Sequence, residues 1–172
     1  MNTMSIKCLL LKLIRRNFVA VVSRDLLDDV ILTRYPACVV INTQPANMPG
    51  EHWVCLWMNS SKNWDFFDSF GQPPEKYKII LKNVSKFNDK ILQSDDTTVC
   101  GHYCIWYILL RAKGSSHASA VRHMSRIPNR DAHVRNLVER LAVKHQLTQL
   151  CNPSSCPAGS QCCTSRFQWC LV

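Results

Sequence analysis

No apolar run in the 172-residue sequence reaches the roughly 18 residues of a membrane-spanning helix, and no internal repeat is visible. A helical membrane protein and a repeat architecture are therefore not expected. Acidic residues are scarce, with 12 Asp and Glu against 21 Lys and Arg, giving a formal charge of +9. The ten cysteines fall short of the about 8–10% that marks a small disulfide scaffold. At 47% hydrophobic content the chain suits one globular domain, able to bury about 70% of the surface its unfolded form exposes. The stretch from Cys8 to Ile14 has the apolar look of a signal sequence, but Lys12 interrupts it and Arg15-Arg16 follow on the wrong flank. Without a small-residue cleavage site, it reads as a buried or amphipathic N-terminal segment of an intracellular, non-secreted protein.

The cysteines are unevenly placed. Cys8, Cys38, Cys55, Cys100 and Cys104 serve residues 1–150, whereas Cys151, Cys156, Cys162, Cys163 and Cys170 crowd a Ser- and Pro-rich tail over 151–172. The first set has the character of buried or reactive thiols in a reducing compartment. The tail lacks a pair of C-x2-C motifs, so no zinc ribbon is expected and no metal site is assigned.

Short apolar runs predict strands at 18–22 and 37–42, the first followed by a helical turn capped by Ser23 and the second by a turn-rich loop. The aromatic runs 52–57 and 64–68, separated by Asn59 to Asn63, predict a β-hairpin. Tyr77, Ile80, Leu81 and Val84 fall at helical spacing within 75–87, and 90–93 suggests another short strand. The strongest helical pattern runs from Cys100 to Lys113, with Thr97 and Thr98 as candidate caps and Gly114-Ser115-Ser116 as its end. Helices at 117–125 and 131–145 complete an α+β layout.

A nucleophilic cysteine needs a histidine to hold it as thiolate, a polar group to orient that histidine, and donors for the oxyanion. Cys100 stands where a polar loop enters the most apolar helix, so its sulfur can feel unpaired backbone N–H groups, and Gly101 lets a substrate backbone come close. His52 opens one hairpin strand and Asp68 closes the other, which antiparallel pairing brings together. Gln93, just before the cysteine loop, can aim its amide at the same place. Read without further context, a cysteine at a helix start is more often a small buried apolar residue than a nucleophile.

His52-Trp53, then Phe67-Asp68-Ser69-Phe70-Gly71, then Gln93 seven residues before Cys100-Gly101-His102-Tyr103-Cys104, closely resemble the adenovirus endopeptidase (adenain) family over roughly residues 37–113. More distantly they resemble the ubiquitin-like-protein (SUMO) proteases of the same fold. The resemblance implies a small mixed or antiparallel sheet of about four to five strands packed on a central helix that carries the nucleophile, with flanking helices. It implies a cysteine endopeptidase in which Cys100 attacks, His52 acts as base and then acid, Asp68 orients His52, and Gln93 with the Cys100 N–H forms the oxyanion hole. Trp53 would wall the site. Asp68 stands where the adenoviral enzymes carry Glu, while Asp is usual in the ubiquitin-like-protein branch.

From Arg111 to Lys144, eight Lys and Arg stand against only Asp131 and Glu139. Arg122, Arg126, Arg135, Arg140 and Lys144 are the candidate nucleic-acid contacts, since such cations gain from counterion release, and the alternative is a solvated helical face. Adenoviral proteases use DNA and a disulfide-linked viral peptide as activators. No cysteine lies between Cys55 and Cys100, where that peptide would attach, so a disulfide-linked peptide is not expected, and a noncovalent peptide or the chain's own tail are the alternatives. The resulting expectation is a monomeric enzyme of the virion and host nucleus that cleaves capsid or core precursors after small residues such as Gly. The alternatives are a deconjugating protease for ubiquitin-like modifiers and an inactive basic nucleic-acid-binding module.

Overall fold

Branched apolar residues build the frame. Phe18–Ser23 (β1) and Ala37–Asn42 (β2) are rich in Val and Ile, which suit a pleated and packed surface. The computed structural model describes residues 1–145 and pairs these strands in parallel, Phe18 with Ala37 through Ser23 with Asn42. Trp53–Ser60 (β3) runs antiparallel to β2, and Asn63–Phe67 (β4) returns antiparallel to β3 across Ser61-Lys62. Val84–Phe87 (β5) joins β4 in parallel, completing a five-stranded mixed sheet in the order β1-β2-β3-β4-β5. The α+β class expected from the sequence is the one the chain adopts. The expected tail, with its five cysteines, lies outside the described residues.

Strand alternation sends side chains to two cores. Cys38, Val40, Cys55, Trp57 and Phe67 face the helical layer, while Val39, Ile41, Val54, Leu56 and Phe66 pack on the other side under loops. The helices are Thr3–Leu13 (α1), Cys100–Ala112 (α2), His117–Ser125 (α3) and Arg130–Lys144 (α4). Helix α2 is the central one: Tyr103, Cys104, Ile105, Tyr107 and Ile108 are all fully buried. Asn2 caps α1 by accepting from the Ser5 N–H at 2.9 Å, and Ser116 caps α3 by accepting from Ser119.

Three local expectations are corrected. Residues 75–87 are not a helix: a 3-10 turn over Pro74–Tyr77 is stopped by Lys78 in the left-handed conformation (φ 58°), and β5 follows. The supposed apolar stripe is not one face, because Ile79 is buried while Ile80 is 86% exposed. Residues 90–93 form no strand, since the N–H groups of Leu92 and Gln93 both turn to a single carbonyl, that of Ser69, at 2.8 and 3.1 Å. Thr97 and Thr98 do not cap α2. Its cap is Val99, which offers no side-chain acceptor, so the first N–H groups of α2 are left for other partners.

The loop after β4 depends on Gly71, which has φ +69°. A Cβ there would stand 2.8 Å from the Lys90 carbonyl carbon and 2.9 Å from its oxygen. Gly71→Ala therefore combines a left-handed strain with a backbone clash and is expected to cost about 1–3 kcal/mol, measured by urea unfolding.

Candidate active site

The hairpin places the first pair of groups. His52 immediately precedes β3 and Asp68 immediately follows β4, so the antiparallel register brings them to one end of the ribbon. His52 Nε2 lies 2.6 Å from Asp68 Oδ1, and both residues are buried. The imidazole is held from several sides. Its ring packs on Phe70 at 4.8 Å and Tyr77 at 5.5 Å between centroids, and the His52 backbone carbonyl accepts from the Thr43 N–H at 2.9 Å.

Asp68 is fully enclosed and amply bonded, as a buried carboxylate must be. Oδ1 also accepts from the Phe70 N–H at 3.2 Å, while Oδ2 accepts from the Gln72 N–H at 2.9 Å and from the Tyr77 hydroxyl at 2.8 Å. Asn88 fixes its backbone from both sides, accepting from the Asp68 N–H at 2.9 Å and donating to the Asp68 carbonyl at 2.6 Å. Burial raises the Tyr77 hydroxyl well above the usual phenol range, and the Asp68 charge adds to the effect, so Tyr77 remains a proton donor to that carboxylate.

Cys100 begins α2, where the uncapped helix end favours an anion. Burial alone would raise its pKa, but the hydrogen bond and charge of His52, with the backbone N–H groups of Trp53 and Gly101, hold it below the ordinary thiol value. Burial likewise opposes a charge on His52, yet Asp68 and Cys100 together raise it to about 9. With Nε2 committed to Asp68, Nδ1 is the ring nitrogen left for the Cys100 sulfur. The pairing thus favours a thiolate on Cys100 and a proton on His52.

Gln93 donates Nε2 to the Thr97 carbonyl at 2.7 Å and accepts at Oε1 from Ser69 Oγ at 2.8 Å. One amide hydrogen remains for a ligand. Gln93, Trp53, His52 and Cys100 all line one cavity of about 670 Å³, with Asp68 behind the histidine. Trp53 lines this cavity, and its Nε1 donates to the Met1 carbonyl at 3.2 Å. Gly101 differs from expectation: it does not line the cavity, and a Cβ on it would meet Ile6 at 3.2 Å and Trp53 at 3.4 Å. Its missing side chain makes room for α1 against Trp53 rather than for a substrate backbone. Cys104, one turn on, is a core thiol raised by burial, with Sγ 3.4 Å from the Trp53 carbonyl.

Sequence reasoning missed the residues that hold these groups, namely Tyr77, Asn88 and Asp131. Asp131 of α4 accepts from the Ser94 N–H at 3.0 Å, Thr97 Oγ1 at 2.8 Å and the Tyr103 hydroxyl at 2.7 Å, and Arg130 Nε donates to the Leu92 carbonyl at 3.0 Å. The start of α4 thereby clamps the loop that presents Gln93. Arg111 leaves the basic face as well, being buried against Asp65. Arg122, Arg126, Arg135, Arg140 and Lys144 are exposed, and none of them lines the cavity.

No family model matches the chain. In sequence it is similar to the protease of Bovine adenovirus C serotype 10, 27% identical over 100 residues that cover 47% of this chain and 51% of that protein. It is also similar to the protease of Bovine adenovirus 2, 26% identical over 91 residues, covering 42% and 44%. The chain spans about half the length of the curated relatives it matches. Likenesses among solved structures are loose. The ASFV pS273R protease gives a TM-score of 0.42 at 21% identity over 61% of this chain and 43% of that one. The central domain of Lpg1148 from Legionella pneumophila gives 0.47 at 15% identity, over 85% and 98%. In sequence, then, part of the chain is similar to adenovirus proteases at 26–27% identity.

Proposed function

We propose that the chain is a cysteine endopeptidase of the adenoviral type that hydrolyses viral precursor proteins. The observation that carries this reading is the histidine bound to Asp68 by one ring nitrogen and paired with Cys100 at an uncapped helix start, inside a cavity. The Cys100 thiolate attacks the scissile carbonyl, and the oxyanion takes hydrogen bonds from the Cys100 N–H and the remaining Gln93 amide hydrogen. His52 then gives its proton to the leaving amine. Water enters, His52 removes a proton from it, and the thioester is hydrolysed to free the enzyme. Asp68 keeps the ring oriented throughout.

The likeness to adenoviral proteases supports precursor substrates cut after small residues such as Gly, and an enzyme at work in the virion and host nucleus. The exposed Arg122, Arg126, Arg135, Arg140 and Lys144 support DNA as an activator held away from the cavity. The test has two parts. Cys100 should alkylate with iodoacetamide faster than every other thiol at about pH 6. Peptides with internal Gly sites should be cleaved, with DNA accelerating the reaction. Rapid release of a Gly-Gly-ended modifier with no cleavage at internal sites would replace this reading with a deconjugating enzyme. A Cys100 no more reactive than its neighbours, with DNA present, would remove the nucleophile from it.

A further inference from the structure

The cavity beside Cys100 is lined by three cationic side chains, Arg24, Lys76 and Lys78, and by one carboxylate, Glu51. Glu51 accepts a hydrogen bond from Gln44 Nε2. Among the described residues, none of the three cations forms an ion pair. Arg24 is half-buried and spends Nη1 on the Tyr77 carbonyl at 3.1 Å, which ties it to the turn that bears both lysines. An Arg withdrawn in part from water and left without a carboxylate is a poor bargain for the folded protein alone.

The backbone singles out the same place. Lys78 holds a left-handed conformation (φ 58°) that Gly or Asn would adopt at less cost, and such strain gathers where a side chain must be aimed. Lys76 and Lys78 flank Tyr77, whose ring stands 5.5 Å from that of His52 and whose hydroxyl binds Asp68. Arg24, Lys76 and Lys78 line the same cavity as His52 and Cys100, so a peptide held at Cys100 passes these cations.

We propose that Arg24, Lys76 and Lys78 form a specificity subsite that selects peptide substrates carrying an Asp or Glu side chain near the bond cut. The inference rests on the protease reading above and adds to it the substrate class. Binding of the acid supplies the ion pairs that the three cations lack within the described chain. Part of that attraction is realised in a partly enclosed cavity, where it is screened less than at an open surface.

The experiment compares peptides that differ only by Asp against Asn, or Glu against Gln, at each position around an internal Gly site. Two quantities are read: kcat/KM with the wild-type chain, and the affinity of the Cys100→Ala protein for the same peptides by fluorescence anisotropy. At one position the acid is expected to win by about tenfold in both, and the advantage should shrink at ~0.5 M salt. In Lys76→Glu/Lys78→Glu, which keeps the turn exposed as before, the preference should reverse toward a Lys-bearing peptide. Cleavage without any acid preference would overturn the subsite while leaving the protease reading intact. Tighter, salt-dependent binding of acidic peptides with no cleavage of any would overturn the protease reading and leave the subsite. Equal binding of acid and amide peptides with no cleavage would remove both.

Discussion

Cys100→Ala is expected to lower peptide hydrolysis by at least about 10⁴-fold while leaving the fold intact. The residue is buried at the first turn of α2, and losing one sulfur there removes little packing. A second readout separates loss of the nucleophile from misfolding. His52 is raised to about 9 by Asp68 and Cys100 acting against burial. Without the thiolate, its pKa measured by NMR should fall below that of the wild type, with Asp68 as the remaining support. A histidine raised in the folded state stabilises it fully below the unfolded pKa of about 6.5, and this contribution is lost as pH rises through about 9. In Cys100→Ala the loss should still begin near the unfolded pKa but be complete at lower pH, so the total contribution is smaller. A folded Cys100→Ala protein that still cleaved peptide would place the nucleophile elsewhere.

The largest expected loss of stability lies at the other end of α2. Arg111 Nη1 pairs with Asp65 Oδ2 at 2.5 Å and meets the Tyr107 hydroxyl at 2.8 Å, while Nη2 donates to Asn59 Oδ1 at 3.3 Å. The guanidinium also lies 5.5 Å from the Trp57 ring centroid. Both charged groups are buried, so Arg111→Met leaves the Asp65 carboxylate enclosed without its cation. The cost is expected to be about 3–5 kcal/mol by urea unfolding, a large part of the 5–15 kcal/mol typical of a whole domain. Asp65→Asn combined with Arg111→Met should recover much of the loss, because no uncompensated charge remains. A single variant as stable as the wild type would mean that Asp65 reaches water or another partner.

Arg111 also shows where sequence reading stops. As one of eight cations in a basic stretch it looks like its neighbours, and only the sheet beneath α2 distinguishes it by bringing up Asp65 from β4. Strands β1 to β4 and helices α2 and α3 are legible because their cores are formed by local runs of apolar residues with a clear period. His52, Asp68, Gln93 and Cys100 are legible because their types and order are distinctive. Tyr77, Asn88 and Asp131 are not, since their roles come from partners up to 37 residues away, as with Asp131 and Ser94. The 75–87 segment misleads for a related reason: its spacing is helical, but Lys78 turns left-handed and β5 finds its pairing in β4. The Gly101 reading fails because a glycine's neighbours cannot be known before α1 is docked.

The division of the site between hairpin and helix has a consequence for folding. His52 and Asp68 stand 16 residues apart on one ribbon, so closing that ribbon is enough to assemble them. Cys100 joins only when α2 settles on β3, through contacts such as Cys104 with the Trp53 carbonyl. Any sub-global opening that lifts α2 while sparing the hairpin parts the sulfur from its imidazolium and returns it to an ordinary thiol. Under the proposed mechanism the reactivity of Cys100 is therefore a gauge of α2 docking.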